Sequence, residues 1–230
     1  MMKSIKKICL SAALICAAVV SASAQFVALN DHMGQPVRTK EYTDVKGSPY
    51  LYETWMKGAV TVAKGTRYEG VELMYDQVSD ELVFKSEKGE AKIFVDPVKE
   101  FSFKIEKDGE LVKEQVFRNG FAPIDGAKPY TFYEVLVDGQ TKLLKRTSKS
   151  IFEEATYSSA TKVKSFQSSN YYYLVQDNKL VKVKSDKKSI LNALSDKGTE
   201  LEAFIKSNRL DLKKDADLAR LVAYYNSIKA

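Results

Sequence analysis

The run Phe101-Ser102-Phe103-Lys104-Ile105-Glu106-Lys107-Asp108-Gly109 sets the architecture of this chain. Apolar and polar residues alternate strictly from Phe101 to Glu106, so one face of an extended strand meets a core and the other meets water. Asp108-Gly109 follows, a pair that tolerates the positive φ angles of a tight hairpin. A return strand is therefore predicted over residues 112–117.

The same grammar extends to both sides. Upstream, Val60 and Val62 lead to Lys64-Gly65. Val71, Leu73 and Tyr75 share a face before the connection Asp76 to Asp80, and Leu82 and Phe84 precede the turn Glu87-Lys88-Gly89-Glu90. Downstream, strands are predicted at 132–137, 142–145, 162–166, 171–175 and 180–184, with Asn119-Gly120, Asp138-Gly139 and Asp177-Asn178 in their connections. Links this short leave no room for parallel crossovers, so the sheet should be mainly antiparallel. Tyr133 to Lys145 and Tyr172 to Lys182 echo each other, but a hairpin with one buried face accounts for both.

After Ser185 the apolar period changes from two to 3.6. Ile190, Leu191 and Leu194 mark a short helix with Ser185 or Asp186 as cap. Gly198 is read as a break, and Thr199 with Glu202 as a capping box for a second helix carrying Leu201, Phe204 and Ile205. Leu218, Leu221, Val222, Tyr225 and Ile228 define a third, with Asp215 and Asp217 near its positive end. The expected fold is α+β and mostly β. An antiparallel meander, sandwich or partly closed barrel is followed by three short C-terminal helices covering one end or an open edge of the sheet.

The first 24 residues read as a signal peptide. Lys3, Lys6 and Lys7 precede an apolar run from Ile8 to Val20, and Ala22 and Ala24 occupy the −3 and −1 positions of a cleavage site before Gln25. Neither Cys9 nor Cys16 has the preceding residues of a lipid-anchor motif. The expected division is 1–24 signal peptide, 25–49 a lead-in that need not be ordered, 50–185 the β domain and 186–230 the helical segment. The expected location is periplasmic or secreted, with no membrane span after cleavage. Both cysteines fall within the leader, so the mature chain is expected to carry no disulfide, thiolate nucleophile or cysteine-bound metal.

The formal charge of +6 falls to +3 once the three leader lysines are removed, and the remaining charges are interspersed. Lys142-Leu143-Leu144-Lys145-Arg146 and Lys182-Val183-Lys184 alternate with apolar residues as strands with one wet face do. Nucleic acid is not an expected partner. The single histidine, His32, rules out a histidine-rich metal set, and no phosphate loop, calcium loop or GxSxG elbow occurs. No cofactor, metal or catalytic residue is expected. Asp96-Pro97 and Asp125-Gly126 are turn chemistry. A carboxylate hydrolase would need Glu53, Asp80, Glu81, Glu100 or Glu134 paired in a cleft, since such pairs are recognised by their separation in space.

The aromatics offer the binding signal. Tyr50, Tyr52 and the sole tryptophan, Trp55, crowd the approach to the first strand, and Tyr171-Tyr172-Tyr173 places rings on both faces of another. Such rings stack on sugars or clasp a protein when wet, and pack across strands when buried.

Several segments resemble a group of secreted Gram-negative proteins without an assigned function. They are residues 47–58 (Gly-Ser-Pro-Tyr-Leu-Tyr-Glu-Thr-Trp-Met-Lys-Gly), 68–76 (Tyr-Glu-Gly-Val-Glu-Leu-Met-Tyr-Asp), 97–101 (Pro-Val-Lys-Glu-Phe) and 217–227 (Asp-Leu-Ala-Arg-Leu-Val-Ala-Tyr-Tyr-Asn-Ser). The resemblance implies a sheet followed by helices and assigns no functional residue. The leading expectation is a non-catalytic envelope protein that binds a partner protein, a glycan or a cell-surface component. The alternatives are a periplasmic carrier of an apolar ligand such as a lipid, and a carboxylate hydrolase.

Overall fold

The computed structural model describes residues 34–37, 42–155 and 162–229. Ala22, Ala24 and His32 lie outside them. The described residues form twelve strands: β1 Gly34–Pro36, β2 Val45–Lys46, β3 Met56–Val62, β4 Arg67–Asp76, β5 Glu81–Lys85, β6 Ala91–Phe94, β7 Val98–Lys107, β8 Glu110–Arg118, β9 Tyr133–Val137, β10 Lys142–Ala155, β11 Lys162–Gln176 and β12 Lys179–Val183. Three helices follow, α1 Lys187–Ala193, α2 Gly198–Asn208 and α3 Asp215–Lys229, with a 3-10 turn at Ser195–Lys197. The hairpin at 101–117 forms as read: β7 and β8 pair antiparallel, and Asp108 and Gly109 take φ of 55° and 82°. Asp177 and Asn178 turn the same way between β11 and β12.

All the strands belong to one sheet, in the order β1-β6-β5-β4-β3-β7-β8-β9-β10-β11-β12, with β2 added in parallel to β11. The protein is α+β, mostly β, and its sheet is an antiparallel meander that does not close. Its first half is nevertheless strongly curled. From β6 to β7 the order crosses β5, β4 and β3, about 19 Å on a flat sheet. Residues 95–97 make that connection, and a chain of this length reaches about 14 Å. The sheet bends to let them meet, and its concave face closes over Leu73, Tyr75, Phe84, Phe101, Phe103 and Phe117. Phe101 and Phe117, opposite each other in register, stack at 4.7 Å with planes 7° apart.

The second half obeys a different rule. Leu143 and Leu144 are both fully buried, as are Tyr173 and Leu174, so β9–β12 need cover on both faces. Leu143, Tyr172, Leu174 and Val183 pack against Ile190, Leu201, Leu218, Leu221 and Tyr225 of the helices. Tyr133, Leu144, Tyr173 and Val175 pack beneath the loop 119–132 through Ala127, Phe121 and Ile124. The helices thus cover a sheet face, where an end or open edge was expected. The apolar run on adjacent β10 and β11 residues makes that face the larger debt.

Two local readings are corrected. Gly198 does not separate helices but begins α2, and no side-chain cap forms there, so the Thr199–Glu202 capping box is not made. Glu202 instead pairs with Lys187. Residues 162–166 and 171–175 belong to one continuous strand, β11. The Asp186 cap is present, its carboxylate accepting from the Ser189 N–H at 2.8 Å.

The lead-in is fastened where it is described. β1 pairs with β6, Tyr42 lies edge-on to Phe166 at 5.4 Å, and Ser48 and Tyr50 offer their carbonyls to the Lys149 ammonium. Burial holds that ammonium below the usual lysine range. The Lys149 N–H also donates to Gln77 O at 3.0 Å, which folds the long β10–β11 hairpin back onto the turn after β4.

Candidate functional site

The six candidate rings do not share one surface. Tyr50 makes an isolated bridge to Asp76. Tyr52 donates to Gln115 Oε1 at 2.7 Å and lies edge-on to Phe103 at 5.4 Å. Trp55 is half-buried just before β3. Tyr172 faces the helices, where its hydroxyl donates to Asp215 at 2.7 Å. Strand alternation sends its neighbours Tyr171 and Tyr173 to the opposite face, where they line one pocket.

That pocket, of about 300 Å³, is walled by Asp125, Arg146, Ser148, Tyr171, Tyr173 and Lys182. β10 supplies Arg146 and Ser148, two residues apart on one face, and register sets Arg146 directly opposite Tyr171. β12 supplies Lys182. Asp125 comes from the loop 119–132, where Asp125 and Gly126 take φ of 51° and 72° and the Ala127 N–H returns to Ile124 O at 2.9 Å. This tight turn aims the Asp125 carboxylate at Lys182 Nζ, 2.8 Å away. The Lys182 ammonium in turn stands 4.6 Å from the centre of the Tyr171 ring.

One lining residue of the pocket, Tyr173, carries a buried hydroxyl. The hydroxyls of Tyr173 and its neighbour Tyr133 are buried and have no hydrogen-bond partner among the described residues. Their rings meet edge-on at 5.4 Å. Few buried polar groups in folded proteins are left this way. Beyond Arg146 the same face continues as Ser148 opposite Ser169 and Ser150 opposite Gln167, a strip of hydroxyls and an amide on the long hairpin. The arrangement can hydrogen-bond and stack on an oxygen-rich molecule.

The candidate acids are placed elsewhere. Glu100 is held by Arg118 at 2.7 Å, the buried Glu134 by Lys113 at 3.2 Å, and Glu53 is exposed. Asp80 and Glu81 line a cleft of about 180 Å³ where the curled sheet brings β6 near β7. There Asp80 Oδ1 accepts from the Tyr75 hydroxyl and the Phe132 N–H, both structural bonds.

No protein-family model, curated protein or solved structure matches this chain. The site therefore rests on its own geometry. From the sequence Arg146 and Lys182 are ordinary wet-face charges, because alternation reveals which residues share a face but not which strands lie side by side. Asp125-Gly126 was legible as a turn; its ion pair to Lys182 was not.

The buried tyrosines carry a pH signature. Burial, then Tyr173, pushes Tyr133 up to about 12, and burial raises Tyr42, Tyr75 and Tyr172 as well. Each folded value lies above the unfolded value of about 10. The stability they contribute is complete below about pH 10 and is lost as pH rises through the folded values. Phenolate absorbance should therefore lag for these rings and then rise together with loss of circular dichroism. Ionisation of all 13 tyrosines near pH 10 with the fold intact would contradict their burial.

Proposed function

We propose that this chain is a non-catalytic protein of the Gram-negative envelope, periplasmic or secreted, that binds a glycan through the pocket between β10–β12 and the loop 119–132. One observation carries the reading: Tyr171 and Tyr173 wall a polar pocket that opens onto a strip of serine and glutamine side chains. Rings with adjacent hydrogen-bonding groups suit the alternating apolar and hydroxyl faces of a sugar.

The apolar-carrier alternative has less support. The concave face of the curled sheet is filled by its own rings, and the cleft at the seam is smaller than the ~300 Å³ at which small-ligand pockets begin. A protein partner draws on Leu111 and Val112 at the tip of the β7–β8 hairpin, 56% and 64% exposed.

Titrating the purified protein with a panel of neutral and acidic oligosaccharides, followed by ligand-detected NMR, tests the proposal. At least one class should bind, and Tyr171→Ala should weaken it about tenfold with thermal unfolding little changed. A folded protein that binds none of the panel would remove the glycan reading and leave the hairpin tips as the next surface to probe.

A further inference from the structure

We infer that the glycan taken by this pocket is acidic, and that Arg146 holds a single sugar carboxylate. The inference rests on the glycan reading above and adds the charge of the ligand.

Charge balance inside the pocket sets the charge of the ligand. Three ionised side chains line it, Arg146, Lys182 and Asp125. Asp125 and Lys182 neutralise each other at 2.8 Å. Arg146 has no carboxylate partner among the described residues. The groups that sense its charge are phenols, Tyr75, Tyr133 and Tyr173. The pocket therefore keeps one net positive charge on a half-buried, planar, fork-shaped donor. A guanidinium of this kind matches a carboxylate in geometry and in charge, whereas a phosphate dianion would leave one charge uncompensated.

The hydroxyl of Tyr173 is the second, independent observation. Tyr173 is 0% exposed, its hydroxyl is unpartnered, and the residue lines the same pocket as Arg146. Burial, then the Asp125 carboxylate, raises the Tyr173 phenol, so its hydroxyl keeps its proton and can donate it; the nearby Arg146 guanidinium offsets this only in part. A carboxylate seated between them would accept from both. Tyr171, directly opposite Arg146, offers a ring for the sugar to rest on, and Ser148 a hydroxyl beside it.

The test compares D-glucuronate with D-glucose, D-glucose 6-phosphate and acetate, each titrated against the full chain by ligand-detected NMR. Glucuronate should bind about tenfold or more tightly than glucose, and that preference should shrink in high salt. Arg146→Gln should abolish the preference while Arg146→Lys restores part of it. Tyr173→Phe removes a hydroxyl that, beyond its proximity to the Arg146 guanidinium, has no partner among the described residues. It should melt at or slightly above the parent temperature yet bind glucuronate several-fold more weakly, a split that a merely structural tyrosine would not produce.

Equal binding of glucose and glucuronate, unchanged by Arg146→Gln, would overturn the acidic assignment while leaving the glycan reading intact. Tighter binding of glucose 6-phosphate would overturn the carboxylate. Acetate binding as tightly as glucuronate would overturn the sugar. Failure of every sugar, neutral oligosaccharides included, with the fold intact would overturn both readings.

Discussion

Gly58→Ala should lower the melting temperature by roughly 6–12 °C. Gly58 sits in β3, between β4 and β7, where the ladder to β4 shifts register. A Cβ built there would lie 1.8 Å from the backbone oxygen of Ser102 and 3.1 Å from Leu73 Cδ1. The obstacle is main chain, so no side-chain rotation relieves it. β7 has no freedom to retreat, because Phe101 and Phe103 on either side of Ser102 are anchored in the concave core. Overpacking of this kind costs about 3 kcal/mol. Gly198→Ala is the matching control: it begins α2 at ordinary helical φ with nothing within 4 Å, and should be neutral or stabilise by about 0.5–1 kcal/mol. A Gly58→Ala protein that melts within 2 °C of the parent (roughly the size of an ordinary surface change) would mean that β3 and β7 are not in contact at this point.

Asp76→Ala should destabilise by about 3–5 kcal/mol. The carboxylate is 3% exposed and organises three donors: the Tyr42 hydroxyl at 2.8 Å and the N–H groups of Val78 and Ser79 at 2.8 and 3.0 Å. Its charge also faces the partly buried Lys149 ammonium. Truncation leaves those donors without their acceptor and removes one of the two carboxylates, with Glu53, that face the ammonium, which costs more than the bonds themselves contributed. Asp76→Asn keeps an oxygen for the turn and should lose about half as much. The position of the damage is as diagnostic as its size. Tyr42 is one of the ties that hold the lead-in to the sheet, so limited proteolysis of Asp76→Ala should open first within residues 42–50. Cleavage there at the parent rate, in a protein of parent stability, would show that Asp76 is a surface turn residue only.

Neither effect was visible in the linear chain. Asp76 reads as the start of a connection, and nothing along the sequence marks Gly58 as a point of close approach. The β10–β11 hairpin is legible in the sequence only over 142–145, 162–166 and 171–175, because Arg146 to Ser150 and Gln167 to Asn170 are polar throughout. Residues such as Ser168, Ser169 and Asn170 carry no apolar alternation to announce a strand. The missed capping box has the same root. Thr199 and Glu202 are correctly spaced, but the 3-10 turn before α2 brings the chain in at an angle that makes Gly198 the first helical residue. Of the candidate rings, Tyr171 and Tyr173 were legible as a pair by their spacing of two. Their companions Arg146, Lys182 and Asp125 come from three other segments.

Local physics is written directly along the chain. Alternation at Phe101 to Glu106, positive-φ turns at Asp108-Gly109 and Asp177-Asn178, and the switch to a 3.6 period after Ser185 each depend on residues within one or two turns of each other. They were enough to establish hairpins followed by helices. Neighbourhood is not written there. A strand's alternation is unchanged when its partner slides by two residues or is replaced by another strand of the same pattern. The insertion of β3 between β4 and β7, the curl that three linking residues impose, and the meeting of Arg146 with Tyr171 were settled by packing all the segments at once.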